Sequence, residues 1–193
     1  MDRILKVSFN DQLLSGDERN DIVMFKSCYP NSRFASEGQA PGNPAGPELT
    51  VWNAKATLSA LLAEFQRHPN TLFIYVTSPP IASKYGADKA VKWLLKKVLG
   101  RPTAEVIARE AFLARDFNNW VKSPDGWLKG YGLNNVVVFD YYDVLTDHGE
   151  SNLSRYPTGN GNDSHPARAG QQKAAAELVP FINSAVRRAG LAD

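Results

Sequence analysis

In 193 residues the chain has a single cysteine, Cys28. That excludes an intrachain disulfide framework and any zinc site built from several cysteines. No stretch approaches the roughly 20 consecutive apolar residues that a membrane-spanning helix requires. Charge of one sign is lacking as well. The 22 Lys and Arg against 20 Asp and Glu leave a formal net charge of +2, too little to argue for a nucleic-acid or anionic-membrane partner. No glycine-rich loop of dinucleotide-fold or P-loop spacing occurs, so no nucleotide cofactor is called for, and nothing else points to a cofactor. The first residues, Met-Asp-Arg-Ile-Leu-Lys-Val, hold neither an apolar core of signal-peptide length nor a small-residue cleavage site. As it stands, such a chain is expected in the cytoplasm; a start further upstream would reopen secretion or the periplasm.

The length suits one domain with a sizeable core, and 43% hydrophobic with 22% charged residues is an ordinary globular balance. Residues 4 to 14 place apolar side chains at 4, 5, 7, 9, 13 and 14, which fits no period cleanly, and a short helix ending at Ser15-Gly16 is expected there. Three short apolar runs bounded by turn residues read as buried parallel strands: 21–25, 72–76 and 134–140. Between and after them lie helical patterns. Residues 53–67 carry Leu58, Leu61, Leu62 and Phe65 on one face, 82–99 form a basic amphipathic stretch, and 104–121 begin after Thr103 as a candidate N-cap. The last helix, 171–189, contains Pro180, which is expected to kink or divide it. Residues 33–50 are rich in Gly and Pro and read as one long loop.

Strands alternating with helices argue for an α/β layered fold with a mainly parallel sheet, and such sheets bind ligands beyond the C-terminal ends of their strands. That rule selects the loops 26–32, 77–80 and 140–165. The last of them contains Asn-Asp-Ser-His-Pro at 162–166, with His165 one of only three histidines and Asp163 two positions before it. An imidazole beside a carboxylate is how a general base is fixed and oriented, although Gly, Asn, Asp, Ser and Pro are also what an ordinary turn uses.

These residues give the chain a resemblance to the SGNH (GDSL-type) hydrolases, α/β serine esterases and related acyl hydrolases. Asp163-Ser-His165-Pro166, followed by Ala169-Gly170 and a helix, is similar to the family's last block, which supplies the acid and the histidine. The run Asp21-Ile-Val-Met-Phe-Lys-Ser-Cys-Tyr-Pro-Asn31 resembles the strand and loop that normally place a glycine and then an asparagine in the oxyanion hole, which puts Asn31 at or near that asparagine. Leu72 to Pro80 resembles the following strand and its proline-rich end. The resemblance covers about residues 17–189. It implies a three-layer α/β sandwich of flavodoxin-like, SGNH-hydrolase type, with His165 as general base, Asp163 as its orienting acid and Asn31 as oxyanion donor. The implied substrate is a carboxylic ester of an acylated sugar or small lipid.

Two departures limit it. The family usually spaces acid and histidine as Asp-x-x-His, whereas position 162 is Asn and the aspartate is at 163. The Gly-Asp-Ser-type block that carries the nucleophile precedes the equivalent of the 21–25 strand, and only twenty residues stand there, with Ser8 and Ser15 in unsuitable contexts. Either the first strands and the serine are missing, which would leave a raw apolar edge on the 21–25 strand, or the nucleophile has moved to Ser27 or Cys28 at that strand's end. The alternative function is a catalytically incomplete relative that serves as a carbohydrate-binding or accessory module. Trp52, Trp120, Trp127, Tyr141, Tyr142 and Tyr156 are the aromatics from which a sugar face would be built.

Overall fold

The computed structural model describes residues 2–6, 8–9, 12–13, 19–83 and 104–191. In chain order these form α1 (Asp2–Leu5), β1 (Ser8–Phe9), β2 (Gln12–Leu13), β3 (Ile22–Lys26), a 3-10 turn (Tyr29–Ser32), α2 (Val51–Gln66) and β4 (Leu72–Val76). They continue with α3 (Ala104–Lys122), β5 (Val136–Phe139), α4 (Tyr141–Leu145), β6 (Pro157–Thr158), a second 3-10 turn (Gly159–Gly161), β7 (Asp163–Pro166) and α5 (Arg168–Arg188). The expected basic helix at 82–99 and the Thr103 cap fall almost wholly outside the described residues.

The organising unit is a parallel sheet of order β3-β4-β5, with Phe73 opposite both Val23 and Val136. It is flanked by helices on both faces. Phe73, Tyr75 and Val136 point into a core shared with Leu58 and Phe65 of α2 and with Leu113, Phe117 and Val121 of α3. Leu72, Ile74, Val76, Val137 and Phe139 point the other way and pack on α5. β4 is buried along its whole length, as a run of five apolar residues requires of a central strand. The α/β architecture with parallel strands is thus the one read from the sequence.

β3 differs from expectation. It is parallel as expected, but it is an edge of this sheet among the described residues and only its inward side chains, Val23 and Phe25, meet the core. Ile22 and Met24 lie on the face that α5 covers for β4 and β5, yet α5 does not reach them, and they remain 39% and 45% exposed.

The N-terminal expectation fails as well. The helix stops at Leu5, and residues 8–9 and 12–13 pair as an antiparallel hairpin instead. The aperiodic apolar pattern explains this, because no single helical face could have been buried. Leu5 is fully buried in the main core, and the Asn20 side-chain amide donates to the carbonyls of Ile4 and Lys6 at 3.0 and 3.2 Å, so tertiary contacts fix this segment.

The helix read at 53–67 starts at Val51, because Thr50 caps it by accepting a hydrogen bond from the Asn53 N–H at 3.2 Å. α5 runs through Pro180 as one helix from Arg168 to Arg188. Pro180 and Ala176, whose carbonyl a residue with an N–H at 180 would have bonded, are both solvent-exposed, so water reaches the orphaned carbonyl and the helix does not divide.

Candidate active site

The C-terminal ends of β3, β4 and β5 carry the three loops selected from the sequence, and side chains tie them together. Ser32, at the end of the turn after β3, donates from its hydroxyl to the carbonyl of Pro79 after β4 at 2.9 Å. The Ala82 N–H donates to the Ser164 hydroxyl on β7 at 3.0 Å. Thr77, fully buried, donates to Asp140 beyond β5 at 3.1 Å and accepts from the Tyr142 N–H at 2.8 Å. Arg33 closes the arrangement from outside through a two-pronged pair with Glu110 on α3, both contacts at 3.0 Å.

His165 sits on β7, not on an irregular loop. Residues 159–161 turn through left-handed backbone at Gly159, Asn160 and Gly161 (φ 58°, 55° and 92°), and β7 then folds back antiparallel on β6. Two glycines around an asparagine are the residues that tolerate such a turn. At the far end, α5 enters so close to Tyr156 that a Cβ on Gly170 would lie 2.7 Å from the Tyr156 Cβ. The absence of a side chain there sets the approach of helix to hairpin.

Within the hairpin, Asp163 Oδ1 accepts from the His165 backbone N–H at 2.9 Å and meets the imidazole Nδ1 at 2.6 Å. The backbone bond and the ring contact together hold the Asp163 carboxyl below its ordinary range. With Nδ1 turned to a carboxylate, the proton belongs on Nδ1 and the lone pair on Nε2, the tautomer a general base requires. The pair is open to solvent, His165 at 62% and Asp163 at 47% side-chain exposure. Its ring is met edge-on by Tyr29, centroids 5.1 Å apart, which brings the loop after β3 to the histidine. Between the two residues considered for the acid, Asp163 makes the contact and Asn162 is an exposed turn residue.

The remaining candidates gather beside the same loop. Ser27 and Asn31 line a cavity of about 250 Å³ together with Ser78. Phe34 and Leu49 of the long loop, Leu58 and Leu61 of α2 and Phe117 of α3 also line it, with Thr57 and Tyr75. Cys28 is exposed, not packed in the core. Asn31 is exposed too, and its backbone N–H is bonded to the Cys28 carbonyl at 3.0 Å, so only its side-chain amide is left for an oxyanion.

The aromatics from which a sugar-binding face was drawn do not gather on one face, although Trp52 and Trp120 flank one lysine. Trp127 and Tyr142 are buried, Trp127 donating its indole N–H to the Leu58 carbonyl at 2.8 Å. Trp52 and Trp120 each hold the Lys55 ammonium over a ring, at 5.0 and 5.4 Å.

A second charged cluster, which sequence reasoning missed, occupies the segment after β5. Arg115 of α3 donates to Asp143 at 2.6 Å, to Asn152 at 3.2 Å, to the Ser151 carbonyl at 2.9 Å and to the Thr146 hydroxyl, with its guanidinium 4.8 Å from the Tyr142 ring centroid. Asp147 accepts from Lys173 at 2.6 Å and from the Tyr156 hydroxyl, and Arg155 donates to its other oxygen at 3.3 Å. One arginine among the several charged residues of an amphipathic helix carries no signal that it will hold a distant loop.

Among the described residues, no group of three or more His, Cys, Asp and Glu side chains is arranged to hold a metal ion, and no helix is long and apolar enough to cross a membrane. Compared with protein-family models, curated proteins and solved structures, the chain gives no match.

Proposed function

We propose that this chain is an ester hydrolase of the SGNH type, or carries most of such a site, and that its sheet belongs to that family's three-layer α/β sandwich. The observation that carries the reading is the Asp163–His165 pair, with Nδ1 on the carboxylate and Nε2 left open, held against Tyr29 beyond the strand ends. In the proposed reaction, the nucleophile attacks the ester carbonyl carbon while its proton passes to Nε2 of His165. Asp163 stabilises the imidazolium that results. The carbonyl oxygen becomes an oxyanion, to which the Asn31 amide donates, a contribution worth roughly 3–4 kcal/mol in acyl hydrolases. Collapse breaks the bond to the alcohol, which leaves with the proton from His165, and water releases the carboxylic acid by the same steps. No metal or cofactor enters this scheme. The chain's own nucleophile candidates are Ser27, which lines the cavity, and the exposed Cys28.

The test is hydrolysis of p-nitrophenyl acetate by wild type and by His165→Ala. A loss of at least about a hundredfold in the variant is expected; equal rates in the two proteins would end the hydrolase reading. Labelling with a fluorophosphonate, followed by peptide mapping, is expected to mark the peptide containing Ser27 if that serine is the nucleophile.

A further inference from the structure

We infer that the outer edge of β5 is a docking groove for an extended segment of a partner protein, one that carries a carboxylate side chain. The inference does not depend on the hydrolase reading, because the groove and the Asp163–His165 pair share no residue.

β5 ends the sheet on the side away from β3, and among the described residues no strand pairs with its outer edge. Toward β4 it uses alternate residues. The Phe73 N–H donates to the Asn135 carbonyl at 2.7 Å, and the Thr77 N–H to the Phe139 carbonyl at 3.1 Å. Val136 and Val138, offset by one, therefore turn their backbone groups outward. Arg188 of α5 shows this directly. Its guanidinium donates to the Val136 carbonyl at 3.4 Å, the place that a neighbouring strand's N–H would take. Two residues further on, Val138 receives no such contact among the described residues.

Strand edges are commonly guarded by a charge or a proline, and a guard closes the edge it protects. Here a cleft of about 520 Å³ stays open beside Val137 and Val138. Lys122 and Ser123, at the end of α3, wall it on one face of the sheet, and Phe181 and Arg188 of α5 on the other. A strand laid along this edge would be covered on both faces. The 4 residues of β5 span about 13 Å, which sets the length of segment that pairs.

Charge selects the occupant. No carboxylate lines the cleft. Lys122 is already held by Asp140 at 2.9 Å, whereas Arg188 has no carboxylate partner among the described residues. A segment that brings one gains a charge-assisted pair in addition to its main-chain bonds. A second copy of this chain fits less well, because pairing β5 with β5 would bring two Arg188 guanidinium groups to one seam.

The probes are acetylated and amidated pentapeptides: Thr-Val-Glu-Val-Thr, its Gln counterpart, and two forms of the first, N-methylated either at the third residue or at the second and fourth. Each is titrated into the isotope-labelled full chain and followed by amide chemical shifts. The Glu peptide is expected to move the Val136 and Val138 amides and to bind at least about threefold tighter than the Gln peptide. Arg188→Gln is expected to abolish that preference while leaving the Gln peptide's affinity unchanged. One N-methylated form is expected to bind at least about tenfold more weakly and the other as before, since a strand edge reads every second N–H. Ser184→Trp fills the cleft from an exposed position on α5 and is expected to remove binding, with circular dichroism confirming the fold. An unmoved Val138 amide at millimolar peptide, shifts confined to Ile22–Lys26, or equal effects of both N-methylated forms would overturn the inference. So would a preference for Glu that survives Arg188→Gln. A concentration-dependent dimer that shields the Val138 amide without peptide would give the edge to a second copy and overturn it as well.

Discussion

Two sets of charged residues follow β5 closely in sequence, and they are built on opposite plans. Asp143 and Asp147 are each held by several partners on other elements: Arg115 and Lys122 from α3 for the first, Lys173 from α5 with Tyr156 and Arg155 for the second. Asp163 and His165 hold mainly each other, two residues apart, with their charged ends open to solvent. A carboxylate saturated by neighbours on other helices fixes the path of the chain and has nothing left to offer a ligand. A pair whose second imidazole nitrogen faces outward contributes little to folding and is free for chemistry. Burial and the number of partners therefore separate the structural cluster from the candidate site better than residue type does, since both contain aspartate beside a base.

The strongest challenge to this contrast is Arg115→Met. It leaves Asp143, Thr146 and the Ser151 carbonyl without their shared donor; Asp143 keeps Lys122, so the cost is that of several part-buried hydrogen bonds, roughly 1–3 kcal/mol. Urea denaturation is expected to show that loss, and a change under about 1 kcal/mol would mean that the loop does not depend on its anchor. Gly170→Ala comes next, because the new Cβ would stand 2.7 Å from the Tyr156 Cβ; overpacking of this kind costs about 1–3 kcal/mol, read as a lower denaturation midpoint.

The Asp147 contribution is expected to be smaller and to carry a signature in pH. Its hydrogen bond from Lys173, then that from Tyr156, holds the carboxyl down at about 2, against roughly 3.9 in an unfolded chain. The carboxylate form is the one stabilised by folding. Its contribution is complete above the unfolded value and is lost as pH falls through about 4 toward 2. The difference in urea midpoint between wild type and Asp147→Asn should therefore be constant near neutrality and shrink over that acid window; a difference that persists at about pH 2 would assign the effect to packing. Least of all should Asp163→Asn disturb folding. Its midpoint is expected to match wild type while hydrolysis falls, because a neutral amide in place of the carboxylate no longer stabilises the imidazolium. A shifted midpoint with hydrolysis intact would move the pair into the structural class.

How much of this could be read beforehand differs from element to element. The run Leu72–Val76 announced a central strand because five apolar residues in succession have no solvent face to offer, and it is buried throughout. α2 was legible from the spacing of Leu58, Leu61 and Phe65. β3 looked the same in sequence but is half-exposed, since an apolar run does not say whether a neighbour exists to cover it. β7 was illegible: Asp-Ser-His-Pro has no strand propensity, and it is extended because it pairs with Pro157 and Thr158 and is pinned through Ser164 to Ala82. The Asp163–His165 contact was foreseeable from proximity in sequence. The approach of Tyr29 to that ring was not, because nothing local to either residue encodes the turn that joins them.

The uncovered margin of β3 has a consequence for how the protein behaves in bulk. Among the described residues no strand pairs with the outer edge of β3, and such an edge, beside the exposed Ile22 and Met24, is a template on which a further strand adds. The rate of such addition grows with concentration, so the chain is expected to stay clear in dilute solution and to cloud, after a lag, in concentrated stocks. Seeds of already clouded material should shorten that lag, and Met24→Lys should lengthen it by placing a charge on the growing face.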